Sequence, residues 1–309
     1  MRGRRLVLSV LVATLLVFAA GYAGVSWLFS EKLVAQQFTT PGPVDFASYG
    51  LEPPETVTIR GEGVGLVGWY FANARDESCA VVMLHGFGGS KAEVLGATPI
   101  FWQRGCDLLL YDARGHGDSD RAILSFGANE REDLLRAVEW LSARTALPRS
   151  RIGLIGWSYG AATVIQGASE AGGDVAFVVA DSSFSSLGDI ARVQARKQYG
   201  SWATIVVPGA LLASSLRGGF DARDPAPISV VDDVRAPVLL VHSRQDGFTP
   251  VEHSERIYVE SDQSRTRLVI PEWEAPHARS FTNNPVAYTA VVDRFLAEFA
   301  PTFGTRLAR

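Results

Sequence analysis

Only two cysteines, Cys79 and Cys106, occur in 309 residues. No Lys/Arg run follows the first five positions and the acidic residues are scattered, leaving a net charge of −4. A stripe able to track phosphates is therefore missing, which argues against nucleic acid as a partner. The chain holds no nucleotide-binding fingerprint, no haem motif and no context for a pyridoxal lysine, so no cofactor is expected. Asp112, Arg114, His116 and Asp118 crowd one stretch, yet their spacing matches no familiar ligand motif and no metal site is expected. Internal repeats and low-complexity tracts are absent, which excludes a solenoid. Neither cysteine is placed for lipid attachment. Each opens an apolar run, "CAVVMLHG" and "CDLLLYDARG", and both buried thiols and a bonded pair stay open at this point.

What is present begins with a long uncharged segment. Residues 6–29, "LVLSVLVATLLVFAAGYAGVSWLF", give enough helix to cross a hydrocarbon core of about 30 Å. Arg2, Arg4 and Arg5 precede it while Glu31 and Lys32 cancel after it, so the N-terminus is expected in the cytoplasm and the rest outside. The anchor is read over residues 1–30. The rival is a signal peptide cut after Ala23, leaving a secreted protein, but the apolar run continues past that site to Phe29 and Trp27 suits an interfacial belt. Residues 31–54, ending in "EPPE", read as an extended connector without its own core.

With 47% apolar residues the remainder can bury a sizeable core. "TVTIRGEGVGLVGWYFANA" alternates like an antiparallel hairpin. From Cys79 onward, short apolar runs at 80–85, 107–112, 152–157, 175–180, 237–242 and 266–271 alternate with helical stretches, the pattern of a parallel sheet covered on both faces. The helix over 129–144 presents Leu134, Leu135, Val138 and Leu141, and the last helix is expected to turn Val286, Val291, Phe295 and Phe299 inward. These features predict one domain over residues 55–303. An insertion at about 185–235 breaks the rhythm: "SLGDIARVQARKQY" is amphipathic, and "WATIVVPGALLASSL" is largely apolar with Pro208 where a helix would kink. It reads either as a lid lining an acyl pocket or as a plain helical cover.

The run over 152–157 ends in "GWSYG", a G-x-S-x-G that would force Ser158 onto a tight strand-to-helix turn. Alone the motif proves little. A nucleophilic serine needs a base, an acid to orient it and donors for the oxyanion, all of which can meet at the carboxyl rim of a parallel sheet. Of five histidines, only His277 sits in a free loop beyond the final strand and after a strand-end carboxylate, Asp246. His253 is the alternative base and Asp181, ending another strand, the alternative acid. Tyr111 and Trp157 read as packing groups.

On "LHGFGGS", "YDARGHGDS", "GWSYG", "PVLLVHSRQD" and "PHARSF", in that order, the chain resembles the α/β-hydrolase superfamily over about residues 55–300. Its nearest likeness is to the serine-hydrolase branch of esterases, monoacylglycerol-lipase-like and serine-aminopeptidase-like proteins, often with an N-terminal membrane segment. The resemblance implies an α/β-hydrolase fold: a mostly parallel sheet with helices on both faces and a helical insertion before the acid-bearing strand. It implies Ser158 as nucleophile, His277 as general base and Asp246 as the acid that fixes its tautomer. The backbone N–H groups of Phe87 and Tyr159 would form the oxyanion hole, each worth about 3–4 kcal/mol in the transition state. The Asp112 to Asp118 loop would be structural. Two departures stand out: relatives usually carry glycine where this chain has Ser243 and Pro276. The family strand order sets the Cys79 and Cys106 strands side by side, implying a disulfide outside the cytosol worth about 3–4 kcal/mol. The implied activity is cleavage of carboxylic esters, acyl or lipid-like, through an acyl-enzyme. A serine-aminopeptidase-like amide hydrolase and a non-catalytic binding protein of the same fold are the alternatives.

Overall fold

Each of the short apolar runs becomes a strand. In the computed structural model, which describes residues 2–37, 39, 42–75 and 78–304, the hairpin β1 (Glu55–Arg60) and β2 (Gly65–Phe71) leads into six further strands. These are β3 (Ala80–Leu84), β4 (Asp107–Tyr111), β5 (Ile152–Trp157), β6 (Phe177–Asp181), β7 (Val238–Val241) and β8 (Thr266–Val269). They form one eight-stranded sheet in the order β1-β2-β4-β3-β5-β6-β7-β8. Only β2 runs against its neighbours; every pairing from β4 to β8 is parallel. Strands β3, β5, β6 and β7 are buried at every position, whereas the edge strand β8 is only half covered. This is the expected α/β-hydrolase architecture. Cys79 and Cys106, just before β3 and β4, are joined by a disulfide.

The helices are α1 (Arg2–Val34), α2 (Pro99–Trp102), α3 (Glu130–Thr145), α4 (Tyr159–Glu170), α5 (Leu187–Tyr199), α6 (Val207–Gly218), α7 (Glu252–Glu260), α8 (Ser280–Asn283) and α9 (Pro285–Phe299). One core lies under α3, α4, α5 and α6 and reaches Val34 at the end of α1; the other lies under α2 and α9. Leu134, Val138 and Leu141 of α3 are fully buried, each worth roughly 1.5–3 kcal/mol. Leu135 is half-buried and Ala137 completes the stripe.

Two expectations are corrected. Val286 does not face inward: it is 77% exposed, and Tyr288, Val291, Val292, Phe295 and Leu296 are the buried residues of α9. Val286, two residues and about 200° round the helix from Tyr288, lies on the opposite side. Pro208 does not kink a helix. It sits in the first turn of α6, where amides have no intrahelical acceptor, and the chain breaks before it in a 3-10 turn over Ser201–Ile205.

Helix α1 is continuous, and its apolar length suffices to cross a membrane. Of the segments read as anchor and connector, Met1, Phe38, Thr40, Pro41 and the side chain of Arg2 lie outside the described residues. The connector packs on the domain: Leu51 is buried and the Phe46 ring stands edge-on to Trp69 at 5.0 Å.

Candidate active site

β5 hands over to α4 through Ser158, whose φ of 53° and ψ of −108° lie where a side chain is strained by roughly 1–3 kcal/mol. Flanking glycines make the turn possible. A Cβ on Gly156 would lie 2.3 Å from the Gly160 carbonyl carbon, and one on Gly160 would lie 2.4 Å from the Leu84 oxygen. Gly156 and Gly160 therefore let α4 start against the end of β3.

Two more strand ends complete the group. The loop after β7 supplies Asp246 and the loop after β8 supplies His277. His277 Nε2 stands 2.7 Å from Ser158 Oγ, and His277 Nδ1 stands 2.7 Å from Asp246 Oδ2. Asp246 Oδ1 accepts the amide hydrogens of Phe248 and Thr249, both at 2.8 Å. Burial alone would raise the Asp246 carboxyl, but hydrogen bonds from His242 and His277 and from the Thr249 amide outweigh it and hold the group well below the usual carboxylate range. The carboxylate thus stays charged and favours the Nδ1–H tautomer of His277, which leaves Nε2 free to take the hydroxyl proton of Ser158.

Gly86 and Phe87 pass close to this serine, since a Cβ on Gly86 would meet Ser158 Cβ at 3.6 Å. Tyr159 is the first residue of α4, so its amide has no intrahelical acceptor. His85 braces the same loop: its Nδ1–H donates to the Gly86 carbonyl at 2.7 Å and its Nε2 accepts the Ala113 amide at 3.0 Å. Burial pushes its imidazole down to about 3, which keeps it neutral in both roles.

The remaining candidates are bonded elsewhere. His253 accepts the Ser185 amide at 3.1 Å, away from Ser158, and burial lowers it to about 4. Asp181 makes no hydrogen bond to His277 among the described residues. Its carbonyl accepts the Ser158 amide at 2.8 Å, and its carboxylate accepts from the Ser182 hydroxyl, which in turn accepts the Ala278 amide. In the Asp112 loop the cation is an ammonium: Lys91 Nζ lies 2.6 Å from both Asp112 and Asp118. Arg114 is paired with Asp133 at 2.6 Å, and His116 Nδ1 donates to the Arg114 carbonyl. Tyr111 and Trp157 are buried in the cores.

Cavities open on two sides of Ser158. One, of about 290 Å³, is apolar and lined by Phe126, Phe184, Ile190 and Val207 among others; the other, of about 300 Å³, includes Glu93, Trp157, His277 and Arg279. Phe87 and Phe248 border both. Burial raises the Glu93 carboxyl, against the charge of Arg279.

Sequence reasoning missed several participants. His242 lies 3.3 Å from Asp246, and its four-residue spacing from that acid was the available signal. Ser243 turns out to bind: its hydroxyl accepts the amides of Gln245 at 3.1 Å and Ala275 at 3.3 Å, tying the Asp246 loop to the His277 loop. Pro276 opens a tight turn closed by the Arg279 amide on its carbonyl, with Ala278 at φ 54°. Phe29 and Leu33 of α1 line the apolar cavity, and no local pattern marked them.

Residues 80–224 match the family model described as alpha/beta hydrolase fold. The uncharacterized protein YqkD of Bacillus subtilis is 30% identical over 269 residues, covering 86% of this chain and 87% of that protein. Among solved structures, the esterase Pf2001 of Pyrococcus furiosus superposes with a TM-score of 0.67 at 25% identity, covering 86% of this chain and 97% of the esterase. The acylaminoacyl peptidase of Pyrococcus horikoshii, at 18% identity and a TM-score of 0.62, covers 85% of this chain and 44% of its own, and shares the fold. With strand order, the strained Ser158 turn and these likenesses in agreement, the chain belongs to the α/β-hydrolase fold family.

Proposed function

We propose that this hydrolase-fold protein is a serine hydrolase that cleaves carboxylic esters through an acyl-enzyme, held to a membrane by α1. The carrying observation is the unbroken relay from Asp246 through His277 to Ser158, with both links at 2.7 Å. Ser158 Oγ attacks the ester carbonyl while His277 Nε2 takes its proton; Asp246 stabilises the resulting imidazolium. The Phe87 and Tyr159 amides bind the oxyanion, and loss of one such donor costs about 10²–10³ in rate. His277 then protonates the departing alcohol, and water, activated by the same histidine, releases the acid. The apolar cavity receives the acyl chain and the cavity with Glu93 and Arg279 the alcohol side. A binding protein gains nothing from a strained serine, which favours the enzyme reading.

A second reading rests on Glu93: an exposed carboxylate lining the same cavity as Ser158 suits the ammonium of an aminoacyl amide. The anchor at residues 1–30, the connector at 31–54, and the catalytic domain at 55–303 on the extracytoplasmic side complete the proposal; the disulfide favours an oxidising compartment. A fluorophosphonate probe should label the full chain and fail on Ser158→Ala. Rates on p-nitrophenyl esters set beside aminoacyl p-nitroanilides then separate the two readings: labelling without ester turnover but with amide turnover overturns the first.

A further inference from the structure

Helix α1 is docked, not merely attached. Its exposed surface is interrupted by Ser26, Ser30 and Val34, a buried stripe with four-residue spacing, set largely against the insertion. Tyr22 Oη donates to the Ile205 carbonyl and accepts the Gly209 amide, both at 3.1 Å. A Cβ on Gly209 would lie 2.2 Å from Ser26 Oγ, so only glycine lets α6 come this close. Arg217 donates to Ser30 Oγ at 2.9 Å and its guanidinium stacks 3.8 Å above the Trp27 ring. Lys32 donates to the Tyr199 hydroxyl at 2.8 Å, and the Phe29 and Tyr199 rings meet at 5.1 Å.

The two helices change from apolar to charged at the same height. The uncharged part of α1 ends at Ser30, before Glu31 and Lys32, and the apolar face of α6 ends at Leu216, before the Arg217 that touches Ser30. Beside this last uncharged stretch of α1, Trp202, Ile205, Leu212 and Leu216 are 60–73% exposed. At about 1.5 Å per residue, α1 from Leu6 to Ser30 is longer than a hydrocarbon core of about 30 Å and reaches into the headgroup zone. The exposed residues of the insertion therefore lie level with the outer edge of the same bilayer. On the inner side of the unit, Phe29, Leu33, Tyr199, Val207 and Ala210 face the apolar cavity that reaches Ser158.

We propose that the last turns of α1 and the α5–α6 insertion form one substrate-admitting unit: its outer face rests in the membrane, and its inner wall receives the single acyl chain of an ester held in that membrane. The α1 residues then set acyl specificity. The volume of about 290 Å³ is at the small end for ligand sites and suits one chain. This rests on the reading of Ser158 as nucleophile, which fluorophosphonate labelling tests by itself.

The experiment uses the full chain reconstituted in phosphatidylcholine vesicles. Its substrates are p-nitrophenyl palmitate carried in the bilayer and p-nitrophenyl acetate in the water. The face variant Trp202→Glu, Ile205→Glu, Leu212→Glu alters side chains outside the cavity and should keep wild-type labelling and acetate turnover while palmitate turnover falls about tenfold or more. Leu33→Trp, which narrows the wall, should shift preference from long to short chains by about tenfold, read as the ratio of palmitate to acetate turnover per labelled serine. An unchanged palmitate-to-acetate ratio in the face variant overturns the membrane contact, and an unchanged chain-length profile in Leu33→Trp overturns the role of α1. A wild-type chain that fails to label overturns the nucleophile reading instead. Should the face variant lose labelling, NBD attached at Ile205→Cys decides: a blue-shifted emission with vesicles supports the contact and an unshifted one refutes it.

Discussion

Two strand-end loops of this protein look alike in sequence and differ in what they do. After β4, "YDARGHGDS" carries Asp112 and, four residues on, His116; after β7, "VHSRQD" carries His242 and, four residues on, Asp246. Both carboxylates are buried and fully bonded. Asp112 accepts the Lys91 and Asp118 amides and pairs with Lys91, a side chain only 1% exposed. Asp246 accepts the Phe248 and Thr249 amides and turns its other oxygen to His277, which borders the cleft. The same group thus braces the fold where its partner is a fixed, buried ammonium, and in the proposed mechanism orients the base where its partner is the imidazole of His277 at the cleft. The partner's position, not the loop's composition, decides.

Replacing each acid in turn puts that contrast at risk. Asp246→Asn should lower kcat by about 10⁴-fold, because an amide no longer favours the working tautomer or stabilises the imidazolium, and should also lose part of its stability at neutral pH, where the native state favours the ionised carboxylate. Hydrolysis of a soluble ester and a melting curve on the same preparation measure both quantities. Asp112→Asn should spare kcat and fall on stability alone. It leaves the Lys91 charge with only the half-exposed Asp118, which costs about 3 kcal/mol, the low end for breaking a buried pair. Urea unfolding reads that loss, while kcat per labelled serine stays within about threefold, since His85 is held through the Ala113 main chain. A stable Asp112→Asn protein with activity as low as Asp246→Asn would break the comparison.

The sheet was legible because helices covering both faces leave strands as bare apolar runs. The meeting of Ser158, Asp246 and His277 was legible because residues placed after different strands of a parallel sheet converge on one rim. Val286 lies about 140° round α9 from Val291, so the helical period itself set it off the stripe of Tyr288, Val291, Val292, Phe295 and Leu296, and the expectation misread that period. Other features depend on contacts between distant segments. Pro208 read as a kink because the 3-10 turn before it left no local mark. Ser243 looked like a departure from the family, yet its hydroxyl holds two amides, one of them 32 residues away. The docking of α1 was beyond periodicity, since Ser26 and Ser30 of its buried stripe lie in a run without charge on any side and Val34 follows it past Glu31 and Lys32.

A third rim carboxylate, Asp181, sharpens the contrast by the sign of its pH dependence. Burial drives its carboxyl up to about 6, against the Ser182 hydroxyl and the nearby His242. In the unfolded chain the group ionises near its ordinary value of about 3.9. Between about pH 4 and 6 the native protein therefore holds more protons than the unfolded one, and this site makes stability fall as pH rises; above 6 its penalty is full and constant. Asp246, with its depressed carboxyl, has the opposite sign: it contributes stability above its ordinary range and loses it as pH falls. Urea midpoints of wild type and Asp181→Asn, compared from pH 4 to 7, separate the two. Whatever the offset between the proteins, their difference should move in favour of the variant from pH 4 to 6 and then level off. In that variant the Ser182 hydroxyl can still donate to the side-chain amide oxygen and accept the Ala278 amide, so kcat should change by no more than a few-fold. A pH-independent difference would mean that Asp181 is ionised throughout, as Asp246 is, instead of largely neutral below pH 6.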